Sequence, residues 1–160
     1  MSDTFLERNS VSLGRDLTAD TTSEVLSAVV DMQGYDEVTF IVKHGDVDAA
    51  AVMTYTVKEN TANSTSSPTP TAITGTVVTG TGASIVSGAL RITESGGNLD
   101  DKIILITVKG SALTKRYVFL SITCADESHE VDAIITIRSA ARRLPVSQSS
   151  DVVATLQAAS

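Results

Sequence analysis

Few residues in this chain have types and spacing that could do chemistry: two histidines, one cysteine and scattered carboxylates. Cys124 and His129, with Asp126 between them, look most like a nucleophile and its base. A thiol becomes a nucleophile only beside a base or a positive field. Here the cysteine sits in Ser121-Ile122-Thr123-Cys124-Ala125, which reads as strand, and the histidine follows in the acidic turn Asp126-Glu127-Ser128-His129-Glu130. That setting suits a small buried hydrophobe and a solvated turn, so no catalytic residue is assigned. His44, Asp46 and Asp48 are alternate residues that an extended chain would place on one face, where carboxylates could meet a hard cation. The run lacks the remaining acidic ligands of a calcium loop, and a polar hairpin is the preferred reading, as it is for Asp100 and Asp101. The stretch from Gly75 to Ser84 is rich in Gly and Thr but lacks the Gly-Lys-Ser/Thr ending of a phosphate loop. Neither a metal nor a cofactor is expected.

Two basic clusters are left, Lys115-Arg116 at the start of a strand and Arg142-Arg143 ahead of Leu144-Pro145. Elsewhere the chain is acidic: 12 Lys and Arg against 19 Asp and Glu leave a net charge of −7. Such a balance opposes binding to nucleic acid and to anionic membranes. On that background a basic cluster can dock on an acidic partner, because the arginine fork binds carboxylates bidentately. Lys115, Arg116, Arg142, Arg143, Leu144 and Pro145 are therefore the expected partner-binding residues.

The elements that must position these residues read as strands. At 160 residues the chain suits a single domain with its own core. Apolar residues make up 42% and aromatics only 4%, with no Trp, so aliphatic and β-branched side chains must fill the interior. Strands are expected at 25–31, 37–43, 52–59, 102–108, 114–124 and 131–138, with weaker ones near 73–79 and 84–93. The first three are expected to follow one another in antiparallel order. The continuous apolar run Ile103-Ile104-Leu105-Ile106 implies a strand covered on both faces. Thr21 and Glu24 have the spacing of a helix capping box, but Val25-Leu26-Ser27-Ala28-Val29-Val30 is too short and too β-branched to sustain a helix.

About eight strands at regular spacing predict an all-β fold, an antiparallel β-sandwich over residues 21–139. Residues 1–20 read as an arm or short edge strand, and 140–160 as a C-terminal arm in which Asp151 to Ala159 could form a short helix. Residues 60–72, with two of the three prolines, read as an exposed, mobile loop. The N-terminus lacks the apolar stretch of a signal peptide, and no apolar run is long enough to span a bilayer, which implies synthesis and folding in the cytoplasm.

Taken together, several segments resemble a known group. They are Asp31-Met32-Gln33-Gly34-Tyr35-Asp36, Val38-Thr39-Phe40-Ile41-Val42, Thr54-Tyr55-Thr56-Val57, Lys115-Arg116-Tyr117-Val118 and Ala141-Arg142-Arg143-Leu144-Pro145-Val146-Ser147-Gln148. Their order is similar to that of small virion proteins of tailed bacteriophages, encoded among head and tail-connector genes. The resemblance implies a capsid decoration (cement) protein with a jelly-roll-like or β-tulip-like sandwich. Such a protein works as a homotrimer on the capsid surface, with the major capsid protein as its partner, and braces the shell without enzymatic activity. Head–tail connector and tail structural proteins share this composition. A carbohydrate- or host-binding module is a more distant alternative, since few aromatics are available to stack on sugars.

Overall fold

The computed structural model describes residues 5–16, 18–75, 83–125 and 127–140, with only the backbone described at 6, 7 and 18–20. After a helical turn at Phe5–Arg8, the described strands in chain order are β1 (Ser10–Arg15), β2 (Thr18–Thr21), β3 (Val25–Leu26), β4 (Val30–Asp31), β5 (Glu37–Val47), β6 (Val52–Asn60), β7 (Thr71–Ala72), β8 (Ala83–Val86), β9 (Ala89–Thr93), β10 (Ile103–Lys109), β11 (Tyr117–Ala125) and β12 (His129–Ser139). They form two antiparallel sheets. One runs β1-β12-β5-β10, with β2 also beside β12; the other runs β3-β11-β6-β9-β8, with β4 also on β11 and β7 also on β6. The chain is an all-β protein of sandwich type. Among the described residues no helix is long and apolar enough to cross a membrane.

Alternation builds the core. On β5, Val38, Phe40 and Val42 are buried while their neighbours are half-buried on the other face. They cluster with Met53 and Tyr55 of β6, Val118, Leu120 and Ile122 of β11, and Val131 and Ile134 of β12. Each such aliphatic side chain contributes about 1.5–3 kcal/mol when fully buried. Gly45 interrupts the alternation for a steric reason: a Cβ there would lie 2.7 Å from Glu130 Oε2. The register between β5 and β12 shifts in this region, so His44 and Val47 both end up buried.

Four expectations are corrected. The strands near 25–31, 37–43 and 52–59 do not form one antiparallel succession, because β5 lies in one sheet and β4 and β6 in the other. The turn after β5, in which Ala51 N–H donates to Asp48 O at 3.0 Å, crosses between the layers. The apolar faces of β5 and β6 therefore pack against each other rather than side by side.

The strand near 25–31 is also broken in two. The Ser27 hydroxyl oxygen accepts from Leu120 N–H at 2.9 Å, and Ser27 N–H donates to Leu120 O at 2.9 Å. A side chain thus takes over part of the ladder between β3 and β4.

Residues 60–72 are not loop throughout, since Asn60 ends β6 and Thr71–Ala72 is β7. Asn60 is fully buried, and its Nδ2 donates to Ser64 O (2.8 Å) and Pro68 O (2.9 Å). The loop then returns as β7 to pair with Lys58 and Glu59.

Lastly, the apolar run of β10 is not covered on both faces. Val108 is buried, but Ile103 and Leu105 are 59% and 65% exposed. β10 forms the end of its sheet, so neither the sheet's outer face nor its outer edge is covered there by described residues.

Two further findings refine the expectations. Ser10–Arg15 and Thr18–Thr21 supply β1 and β2, both on β12, so the first sheet begins at Ser10, ahead of residue 21. The segment 84–93 is a tight hairpin, with Ser87 (φ 51°) and Gly88 (φ 81°) both left-handed between β8 and β9, the conformation that two-residue hairpin loops require.

Candidate interaction surfaces

Of the six expected partner-binding residues, two are described. Lys115 and Arg116 precede β11, where the second sheet receives β4. Arg116 grips Asp31 bidentately, Nε to Oδ1 at 2.8 Å and Nη2 to Oδ2 at 2.5 Å, and its guanidinium also lies 5.1 Å from the Tyr117 ring centre. The hydrogen bonds from Arg116 hold the Asp31 carboxyl below the usual carboxylate range, and the same pairing raises the Arg116 pKa. Lys115 Nζ donates to Thr71 Oγ1 at 2.6 Å.

The neighbouring carboxylate of Glu59 is buried and accepts from Thr114 N–H (2.8 Å), the Thr114 hydroxyl (2.5 Å) and Lys115 N–H (3.1 Å). Burial is the largest single influence on its pKa and pushes it up. The hydrogen bonds and the nearby Lys115 charge together outweigh burial, and the net shift is downward. The cluster thus pins the approach to β11 against β4 and β6, while the outer part of Arg116 stays in solvent. Arg142, Arg143, Leu144 and Pro145 lie outside the described residues.

The cation reading of His44, Asp46 and Asp48 depends on a shared face, and the shift beside Gly45 removes it. His44 is fully buried, whereas Asp46 and Asp48 are exposed and Asp48 Oδ2 accepts from the Ser128 hydroxyl at 2.6 Å. The His44 ring joins two layers, with Nδ1 3.1 Å from Glu130 O and Nε2 2.8 Å from the Tyr55 hydroxyl. A carbonyl only accepts, so in the neutral ring Nδ1 carries the proton and Nε2 accepts from Tyr55. Burial is the main cause that lowers the His44 pKa, and burial likewise raises that of Tyr55. His129, expected in a solvated turn, is instead fully buried at the start of β12, and Cys124 is half-buried, with burial raising its pKa, the opposite of an activated thiolate. Among the described residues no three His, Cys, Asp or Glu side chains converge as a metal site.

The surface that sequence reasoning missed is apolar. On the outer face of the first sheet, register places Leu13 opposite Ile135, Ile135 opposite Ile41, and Ile41 opposite Leu105. One aliphatic row therefore crosses all four strands of the sheet's main path. A second row, Val11, Ile137, Thr39 and Thr107, lies beside it. Leu13, Ile135, Leu105 and Ile103 are all exposed. Contiguous exposed apolar patches carry more meaning than isolated exposed aliphatics. The available signal was the period-two pattern Val11/Leu13, Thr39/Ile41 and Ile135/Ile137. Each is short, and only the register adds them together.

Searches against known proteins return no match, either to a protein-family model or to a curated protein.

Proposed function

We propose that this chain is a non-enzymatic structural protein of a tailed-phage particle, one that attaches to the outside of the shell and stabilises capsomer junctions with the major capsid protein as its partner. The carrying observation is the aliphatic row Leu13-Ile135-Ile41-Leu105, partly exposed on the outer face of an otherwise acidic chain. A flat apolar sheet face suits a broad, shallow contact repeated many times by symmetry, where avidity replaces a single deep anchor. The resemblance of the segments around Asp31, Val38, Tyr55, Lys115 and Arg142 to phage virion proteins supports the particle setting. The net charge of −7 disfavours attachment through the packaged nucleic acid.

Quantitative mass spectrometry of purified particles tests the reading. A copy number close to that of the major capsid protein is expected. A number near the low symmetry order of the portal axis would instead place the chain in the connector or tail, and absence from particles would sink the proposal.

A further inference from the structure

The first sheet ends in a strand that lacks the devices by which proteins blunt an edge. Exposed strand edges are ordinarily protected by shortness, bulges, proline or a central lysine. The other outer strands have such features. β1 slips register between Leu13 and Arg15, β2 pairs with β12 through a register shift, β3 and β4 have two residues each, and β8 has four. β10 has seven residues, pairs with β5 in unbroken register, contains no proline, and carries a lysine only at its last residue, Lys109, with Lys102 just before it. Among the described residues nothing pairs with its other side.

Two hydrogen bonds fix which groups face outward. His44 N–H donates to Lys102 O at 3.0 Å and Gly110 N–H donates to Asp36 O at 2.6 Å. Even-numbered residues of β10 therefore direct their backbone groups at β5. By alternation, Ile103, Leu105, Thr107 and Lys109 direct theirs at the open edge. The same alternation turns Ile104, Ile106 and Val108 towards the interior. There they line a groove of about 1180 Å³ between the sheets, together with Val57, Leu90 and Ile92.

We infer that β10 pairs antiparallel with β10 of a second copy about a two-fold axis at Ile106. This is the register that uses all four outward residues: Ile103 faces Lys109 and Leu105 faces Thr107 on both sides of the axis. Every pair brings together residues that exchange two hydrogen bonds. On the inner face Ile106 meets the partner's Ile106 over the mouth of the groove, and Ile104 meets the partner's Val108, so the contact there is wholly aliphatic. At the ends Lys109 faces the partner's Ile103, next to its Lys102, with the partner's Asp101 and Asp100 one and two residues further on. On the outer face the row that ends in Leu105 then meets the partner's second row at Thr107, so the two outer faces lie side by side and double the surface offered to a shell. The pairing itself does not depend on what that surface binds.

The test is the mass of the full chain by light scattering over a range of concentrations, with three variants. The expected result is a species of twice the 16.7 kDa chain mass. Leu105→Pro removes an N–H that points away from β5, so it should halve the mass while leaving the β-sheet circular dichroism intact. In a Cys124→Ser background, Ile106→Cys should form an interchain disulfide on oxidation, because residues opposed at a two-fold come within bonding reach. Leu105→Cys, which faces Thr107, should not. Should Leu105→Pro fail to fold, the two cysteine variants still decide. A monomer at every concentration overturns the inference. So does a trimer, the state that the resemblance to decoration proteins implies, or a dimer that Leu105→Pro leaves unchanged. So does slow hydrogen exchange at the Leu105 and Thr107 amides under monomeric conditions, since that would show the chain covering its own edge.

Discussion

At the scale of the residue, His44 makes the sharpest prediction. Burial, the largest influence, holds its folded pKa below the usual value of 6.5, and the hydrogen bond to Glu130 O opposes this only in part. The nearby His129 and Lys43 charges add to the depression, while Asp132 opposes it. A group that resists protonation when folded binds more protons when unfolded. Its contribution is thus present above about pH 6.5 and is lost as pH falls towards the depressed folded value. Urea midpoints should be flat from pH 8 to 7 and decline between about pH 6.5 and 5, and His44→Gln should flatten that decline. The carboxyls of Asp31, Glu24 and Glu59 have lowered pKa values and give up their stabilisation at lower pH, below about 4.5, so the two windows separate. An unchanged midpoint down to pH 5 would count against the buried histidine. Tyr55→Phe leaves the ring nitrogen without its donor in the core and should cost about 1–3 kcal/mol at pH 7.5.

At the scale of the element, Glu59 shows how one side chain holds a connection. Three donors from Thr114 and Lys115 converge on it at the start of β11. Glu59→Ala should destabilise by about 1–3 kcal/mol, and amide exchange should speed up first at residues 113–116. An effect spread evenly over the sheets would argue against a local clasp. The strands themselves were largely legible. Val38/Phe40/Val42 and Met53/Tyr55/Val57 alternate as half-buried strands must, and both pair as long ladders. Less legible was how strands associate. β10 is as apolar as a doubly covered strand, yet it lies at an edge, because apolar content reports an affinity for burial and not the element that supplies it. Residues 60–72 look disordered by composition, but a single buried amide, Asn60, satisfies enough backbone carbonyls to set the loop.

At the scale of the whole molecule, the proposed attachment should depend on the outer face rather than on fold stability. Leu13 and Ile135 are 43% and 38% exposed, so replacing both with Ser should cost about 1 kcal/mol per site and leave the chain folded, while sharply reducing binding to shells stripped of this protein. Full binding by the double variant would move the contact elsewhere. Changing Arg142 and Arg143 to Glu should weaken the same binding and reduce its dependence on salt; binding unchanged at every salt concentration would remove them from the contact.

By itself, the sequence determined the all-β class, the strand-sized apolar periods and the acidic net charge. These follow from local pattern and composition, which one chain segment carries alone. The tertiary structure decided which strands share a sheet, that His44 faces inward away from Asp46, that Arg116 is tied to Asp31, and that four aliphatic residues from four strands line up as one row on the outer face. Each depends on register between segments far apart in the chain, and a shift of one residue would turn every side chain to the opposite face.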